Sequence, residues 1–589
     1  MKGFFKYVFA SMLGFILAYI VIAILMISIV VGIASHYSNK ISNKESVEIK
    51  DKSVLMIDLS RPITERVDDS PFYGFEFMDD GTFPVGLKDI MDKIKSAKDD
   101  PKISGIYLNA NIQTASLAML NELRNALIDF KKSKKFIYAY SEIMTQGTYF
   151  LSSVADKIYM QPEGIMIMTG FSSENVYLKG MFDKLNITPT LIKAGNYKSA
   201  GETFIRNDMS PYDRQQMEEY LFPVYESFIQ KIAEARKMNP DSLKYLIDNL
   251  KVQEANDAFK YKLVDGLLYK DEFIAKLKEI TKKDKIELVK IEKYVSTSDD
   301  KKEYTKDKIA LVYAVGSINM GSGNYQTIGS EGLSKAIRQA REDDNVKAIV
   351  LRINSPGGGA LPSDVIWREV KLAADKKPLV VSMGSLAASG GYYIAAPADT
   401  IITDPFTITG SIGVFGLHLD MQNFWKNKLG ISFDRVKTGK YADFGNFNRP
   451  LSPEELAVLQ YYVNGTYGDF KKKVAEGRNL DMNFVDSIAQ GRIWSGSQAV
   501  ELGLADKVGD IYDAINIAAS MAKIKNYRIK VYPKAKGFWT QFGSFSSVKS
   551  FVLKWLMGAE DYEMYARLKQ IEEYKGGQYM LMTLDFVVR

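Results

Sequence analysis

The sequence predicts an α/β protein of two tandem units preceded by one N-terminal transmembrane helix, and three observations predict it. Segments of the chain repeat at a nearly constant offset, short apolar strands alternate with amphipathic helices in both copies, and the N-terminus holds a long run without charge. Sequence self-similarity over hundreds of residues marks a duplicated structural unit. Strand–helix alternation marks βαβ units with a parallel sheet.

The repeat extends through successive elements. Ala97–Leu108 aligns with Ala340–Leu351 at an offset of 243 residues, and the same offset aligns Tyr149–Asp156 with Tyr392–Asp399 and Pro162 with Pro405. With small gaps, Thr169-Gly170 falls on Thr409-Gly410, Lys193–Tyr197 on Lys437–Tyr441, and Phe204–Arg206 on Phe447–Arg449. Each copy then starts a helix alike, at Ser210-Pro-Tyr-Asp213 and Ser452-Pro-Glu-Glu455, a capping serine with proline at the first helical position.

Within each copy the order is the same. An apolar strand (Val54–Leu59 or Ile309–Ala314) leads to a helix with apolar spacing at Leu87, Ile90, Met91 and Ile94, or at Leu333, Ile337 and Ala340. A second strand ends at Leu108 or Leu351, and a third is Phe136–Tyr140 or Leu379–Val381. The organisation expected is a tail at 1–6, a transmembrane signal anchor at 7–34, a first repeat at 50–280, a charged surface linker at 281–308, a second repeat at 309–530, and a C-terminal extension at 531–589. The extension has no counterpart in the first copy. Its aromatics (Phe538-Trp539, Phe542, Phe545, Trp555) suit terminal packing or contact with a membrane interface.

The anchor rests on residues 7–34, which contain no charged side chain and exceed the roughly 20 residues that span a bilayer. Lys2 and Lys6 precede it without an acid, which favours a cytoplasmic N-terminus and an extracytoplasmic bulk. Composition narrows the chemistry. A net charge of +6 with interspersed signs gives no basic stripe for nucleic acid. The absence of cysteine excludes disulfides, thiolate ligands and a cysteine nucleophile. With only two histidines, His36 and His418, a zinc site or a Ser-His-Asp triad would rest on His418 alone.

The copies differ where chemistry is expected. The second carries Met383-Gly-Ser-Leu-Ala-Ala-Ser389-Gly-Gly391, a small-residue turn suited to close backbone approach, and the first has Gln146 opposite Ser389. Conversely, Lys198 of the first copy lies opposite Ala442 of the second. The second copy also carries Asn354-Ser-Pro-Gly-Gly-Gly359 after a strand, where the first has no glycine. One copy keeps the serine and the other the lysine, which suggests one composite site. A serine becomes a nucleophile only beside a base, and a lysine serves if burial keeps it neutral. Backbone N–H groups of a glycine turn can hold an oxyanion.

Asn354–Gly359, Ala387-Ala-Ser-Gly-Gly391, Thr409-Gly-Ser-Ile-Gly413 and Tyr197-Lys-Ser-Ala200 closely resemble the signal peptide peptidase A family in its long, duplicated bacterial form. These are membrane-anchored Ser/Lys endopeptidases with a fold related to the Clp protease and crotonase group. The resemblance implies Ser389 as nucleophile, Lys198 as general base, Ser411 orienting the amine, and the N–H groups of Gly358 and Gly390 as the oxyanion hole, with Gly357 as a replacement for Gly358. It also implies a homotetramer on the extracytoplasmic face of the bacterial inner membrane, hydrophobic peptide substrates left over from signal peptides, and no metal or organic cofactor. Two other readings of the residues are an acyl-CoA-handling enzyme, which would use the glycine turn without a nucleophile, and a non-catalytic membrane scaffold. The retained serine and lysine argue against both.

Overall fold

The computed structural model describes residues 49–67, 84–295 and 305–533, a strand at 578–581 and scattered helical positions between 6 and 21. The first repeat contains β1 (Ser53–Asp58), α1 (Leu87–Asp99), β2 (Ile103–Asn109), α2 (Leu117–Lys131), β3 (Phe136–Thr145), α3 (Gln146–Ser152), β4 (Lys157–Ile167), β5 (Thr188–Ala194), α4 (Pro211–Arg236), β6 (Gly266–Leu267) and β7 (Leu288–Lys290). The second contains β8 (Lys308–Val315), β9 (Ser317–Asn319), β10 (Thr327–Gly329), α5 (Ser330–Glu342), β11 (Val346–Ser355), β12 (Gly357–Gly359), α6 (Ala360–Ala374) and β13 (Leu379–Ala388). It continues through α7 (Gly390–Ala395), β14 (Thr400–Thr403), β15 (Ile408–Gly410), β16 (Val414–Asp420), α8 (Pro453–Arg478), β17 (Ile493–Ser495), β18 (Lys507–Val508), α9 (Ile511–Met521) and β19 (Arg528–Tyr532). The strand Gln578–Leu581 is β20.

Each repeat builds its own parallel sheet. The first runs β6-β4-β3-β2-β1-β7, and the second, of eight strands, repeats that order as β18-β14-β13-β11-β8-β19 and adds β15 beside β13 and β17 antiparallel to β15. Such strands are buried on both faces, as parallel strands covered by helices must be, and they read as continuous apolar runs rather than alternating ones. Ile106, Tyr107 and Leu108 on β2, like Val350 and Leu351 on β11, are fully buried. The helix start shared by the copies is also observed. Ser210 and Ser452 each accept the N–H of the residue three positions on, capping α4 and α8, and both helices carry proline in the first turn.

A third sheet, which the sequence pattern does not predict, joins the repeats. Its order is β10-β9-β12-β20-β16-β5, so β5 of the first repeat pairs antiparallel with β16 of the second from Ala194↔Val414 to Thr188↔Asp420. This cross-repeat ladder brings the Lys198 loop, which comes directly after β5, against the second repeat.

The stretch 281–308, expected as linker, carries β7, which pairs parallel with β1 as the edge of the first sheet. Val289, Ile291 and Tyr294 there are buried, and the lysines and glutamates around them mask that pattern in the sequence. The second-repeat boundary at 530 cuts through β19, which is the counterpart of β7 and pairs with β8. Most of the 7–34 segment and of the 531–589 extension lies outside the described residues. Among the described residues no helix is long and apolar enough to cross a membrane.

Candidate active site

Ser389 sits at the junction of β13 and α7 with φ 56° and ψ −117°, a conformation L-residues rarely adopt. Two features hold it there. Its N–H donates to the Gly410 carbonyl at 2.9 Å, and its carbonyl accepts from Tyr393 N at 2.9 Å, the first bond of α7. Small residues behind it are required by space. A Cβ on Gly390 would stand 2.6 Å from Ser363 Oγ and 3.1 Å from Gly358 N, and one on Gly391 would stand 2.7 Å from the Ser355 carbonyl. The same distances show that the backbones of Gly390 and Gly358, one on α7 and the other on β12, face each other across the turn.

Lys198 comes from the other repeat and is 1 % exposed. Its Nζ lies 2.7 Å from Ser389 Oγ, 3.0 Å from Ser411 Oγ and 3.1 Å from the Ser411 carbonyl. The sequence thus names five residues scattered over some 200 positions, and the fold brings Ser389, Lys198, Ser411, Gly358 and Gly390 to one place within a single chain. Burial holds the Lys198 ammonium well below its ordinary range, so the amine is pushed toward its neutral form. A neutral amine has two N–H donors and one lone pair. The two oxygens of Ser411 can take both donors, which leaves the lone pair for the Ser389 hydroxyl proton.

The slot that buries the lysine is made of backbone, and sequence reasoning misses half of it. The loop around Lys198 is clamped from both repeats: Tyr197 N donates to the Gln490 carbonyl of the second at 2.9 Å, and Gln216 Nε2, on α4 of the first, donates to the Tyr197 carbonyl at 3.0 Å and to Ser199 Oγ at 2.9 Å. A Cβ on Gly491 (φ +80°) would stand 2.6 Å from Lys198 Cβ, and one on Gly413 would stand 3.2 Å from Lys198 Cδ. Gly413 belongs to the Thr409–Gly413 motif. Gly491 lies in a stretch, Ala489-Gln-Gly-Arg492, that no motif or repeat marks.

The corresponding place in the first repeat is closed. Gln146 is buried, its Nε2 donates to the Gly170 carbonyl at 2.8 Å, and its Oε1 accepts from Gly170 N at 3.1 Å. Gly170 is the counterpart of Gly410, so a glutamine amide fills the corner that carries the nucleophile in the second copy. His418 is away from this chemistry, stacked on Phe447 at 5.7 Å within the sheet that joins the repeats.

The family model for peptidase family S49 matches the chain twice, at residues 129–284 and 371–525. Protease 4 of Salmonella typhi is 34% identical over 547 residues, covering 90% of this chain and 88% of that protein. Protease 4 of Haemophilus influenzae is 36% identical over 451 residues, covering 74% and 73%. The chloroplastic serine protease SPPA of Arabidopsis thaliana is 33% identical over 454 residues, covering 75% of this chain and 66% of that protein.

Proposed function

The chain belongs to peptidase family S49 and is a serine peptidase, and from that premise we propose that it degrades hydrophobic peptides, remnant signal peptides among them, at a membrane through a Ser389–Lys198 dyad. The observation that carries this reading is the 2.7 Å approach of Lys198 Nζ to Ser389 Oγ, both of them buried. Neutral Lys198 accepts the Ser389 hydroxyl proton as Oγ attacks the peptide carbonyl. The N–H groups of Gly358 and Gly390 donate to the oxyanion that forms. Lys198 then protonates the departing amine, and in the second half of the cycle it takes a proton from the water that hydrolyses the acyl-enzyme. Ser411 keeps the amine aimed throughout. The charge-free run at 7–34 supports a membrane anchor with the peptidase bulk on the extracytoplasmic side, and the resemblance to the signal peptide peptidase A family adds a homotetramer.

An extended substrate fits the sheet beside the dyad. The chain's own strand β20 lies between β12 and β16, antiparallel to both, with Met580 opposite Gly358 and Tyr579 opposite both Gly359 and Phe415. Main-chain pairing on two sides suits a peptide recognised by its backbone. Ending the chain at Lys575 is therefore expected to lower KM for a hydrophobic peptide while leaving kcat unchanged. An unchanged KM would show that substrate binds elsewhere.

The function itself is tested with the full chain in phospholipid vesicles and a synthetic signal peptide, its products read by mass spectrometry. Cleavage within the apolar core, lost in Ser389→Ala, is the expected result. A signal peptide left intact while a soluble unfolded protein is cut would reject the substrate class and leave the peptidase assignment standing.

A further inference from the structure

A second buried constellation lies where the repeats meet, one strand behind the dyad. Arg352 on β11 is 1 % exposed, and every one of its five N–H donors has a partner. Nε and Nη2 donate to the two Glu65 oxygens, both at 2.9 Å, and Nη2 also donates to Glu122 Oε1 at 2.6 Å. Nη1 donates to Ser382 Oγ at 2.9 Å and to the Met383 carbonyl at 3.3 Å. Both glutamates belong to the first repeat, Glu122 on α2, and both are buried. The serine and the carbonyl belong to β13, the strand that ends at Ser389.

The place of contact matters. Pairing between β11 and β13 runs regularly to Ile353↔Met383, then slips, and resumes at Ser355↔Ala387. Three residues, Gly384 to Leu386, thus bulge opposite Asn354. A Cβ on Gly384 would stand 2.3 Å from Glu65 Oε1, so the carboxylate packs directly on the bulged backbone. The bulge is held from three more sides: Leu386 N donates to Asn354 Oδ1 at 3.1 Å, Thr407 Oγ1 donates to the Gly384 carbonyl at 2.6 Å, and Ser385 Oγ lies 2.5 Å from Ser116 Oγ at the start of α2. A bulge re-aims the residues that come after it on the strand. On β13 the chain leaves the bulge and reaches Ser389, and on β11 it leaves Arg352 and reaches the glycine strand β12.

We propose that Arg352 is a positioning residue for the Ser389–Lys198 pair: with Glu65 and Glu122 it clamps the bulged nucleophile strand to the repeat that supplies the lysine. The inference rests on the dyad assigned above. Removing one member of a buried ion cluster leaves uncompensated charge and is costly, whereas the cluster as a whole is a weak source of net stability. Its use is therefore better sought in fixing a register than in holding the fold together. Arginine alone can bridge two carboxylates, a hydroxyl and a carbonyl in one plane, and lysine cannot.

The cluster also holds more acid than base. Glu122 faces Arg352, Glu65 and Asp404, with Asp510 at the head of α9 and Tyr313 on β8 close by. Asp404 is itself bonded by Asn121 Nδ2 at 2.7 Å. Burial pushes the Glu122 carboxyl up to about 8, with Glu65 and Asp404 adding to the rise against the opposing arginine. Its proton is retained by the native state at pH values where the unfolded chain releases it. Stability from this source is full below about 4.5 and declines as pH rises toward about 8.

The test uses Arg352→Lys and, in case that protein does not fold, Glu65→Gln, which retains an acceptor for Arg352. Active protein is counted by fluorophosphonate labelling of Ser389 and turnover is expressed per labelled serine. A clamp that positions the dyad predicts kcat per labelled serine lowered about 10²-fold for Arg352→Lys, KM within about threefold, and the ascending limb of the pH–rate profile moved to higher pH as water reaches Lys198. A purely structural role predicts fewer labelled molecules with unaltered turnover and pH profile, and that result in either variant overturns the proposal. Glu122→Gln is expected to flatten the fall in melting temperature between pH 5 and 8, and an unaltered slope shows that Glu122 does not hold its proton in the folded chain. Failure of the dyad itself reads differently, as a parent protein that does not label at Ser389 and a Ser389→Ala variant that still cleaves.

Discussion

Lys198→Met is expected to abolish turnover and at the same time to raise the melting temperature. The first effect comes from the geometry: among the described residues no histidine lies at the dyad, and Lys198 Nζ is the basic group at 2.7 Å from Ser389 Oγ. Removing the base of a nucleophile–base unit costs on the order of 10⁴–10⁶ in kcat. The second comes from burial. The folded chain keeps Lys198 deprotonated at pH values where the unfolded chain binds a proton, because burial lowers its pKa well below 10.5. The native state therefore loses about 1.4 kcal/mol for each pH unit below 10.5, down to the folded-state value. Methionine fills the slot without that penalty. The gain in melting temperature should be largest near neutrality and shrink as pH approaches 10. A gain independent of pH, or cleavage that survives the substitution, would show that Lys198 is neither buried neutral nor the base.

Gly358→Ala should lower kcat by about 10²–10³ with little change in KM, the effect of losing one oxyanion donor. The added Cβ would meet backbone rather than side chain, at 2.1 Å from the Ile318 carbonyl oxygen and 2.6 Å from Ile318 N. Neither can give way without moving β9, so β12 must shift and carry the Gly358 N–H away from the oxyanion. Gly465→Ala on α8, where a Cβ meets nothing within 4 Å, is the control and should be silent. Steady-state kinetics on a hydrophobic peptide separates the two. Equal kcat for Gly358→Ala and the parent would remove β12 from the mechanism.

Much of this site is legible in the residues because duplication turns a comparison into an experiment. Gln146 opposite Ser389 and Ala442 opposite Lys198 are visible as reciprocal losses, and they point to one shared site without any geometry. The parallel order of each sheet is likewise implied by strand–helix alternation. The hidden part depends on contacts between the copies. The β5–β16 ladder pairs strands more than 200 residues apart, and no local periodicity encodes such a partnership. Gly491 is essential for space only because Lys198 arrives there from the other repeat. Glu65 and Glu122 look like ordinary surface acids in sequence, and only the fold buries both against Arg352. The β7 strand reads as linker because charged neighbours mask Val289 and Ile291.

The antiparallel ladder between β5 and β16 has a consequence for stoichiometry. Because it carries the lysine loop to the serine within one polypeptide, the two reacting groups are present at a fixed local concentration set by the fold. Dilution cannot part them, and every folded chain holds one complete Lys–Ser pair. Co-folded chains of which half carry Lys198→Met and half Ser389→Ala then contain no intact pair at all, since neither defect is repaired by a neighbour.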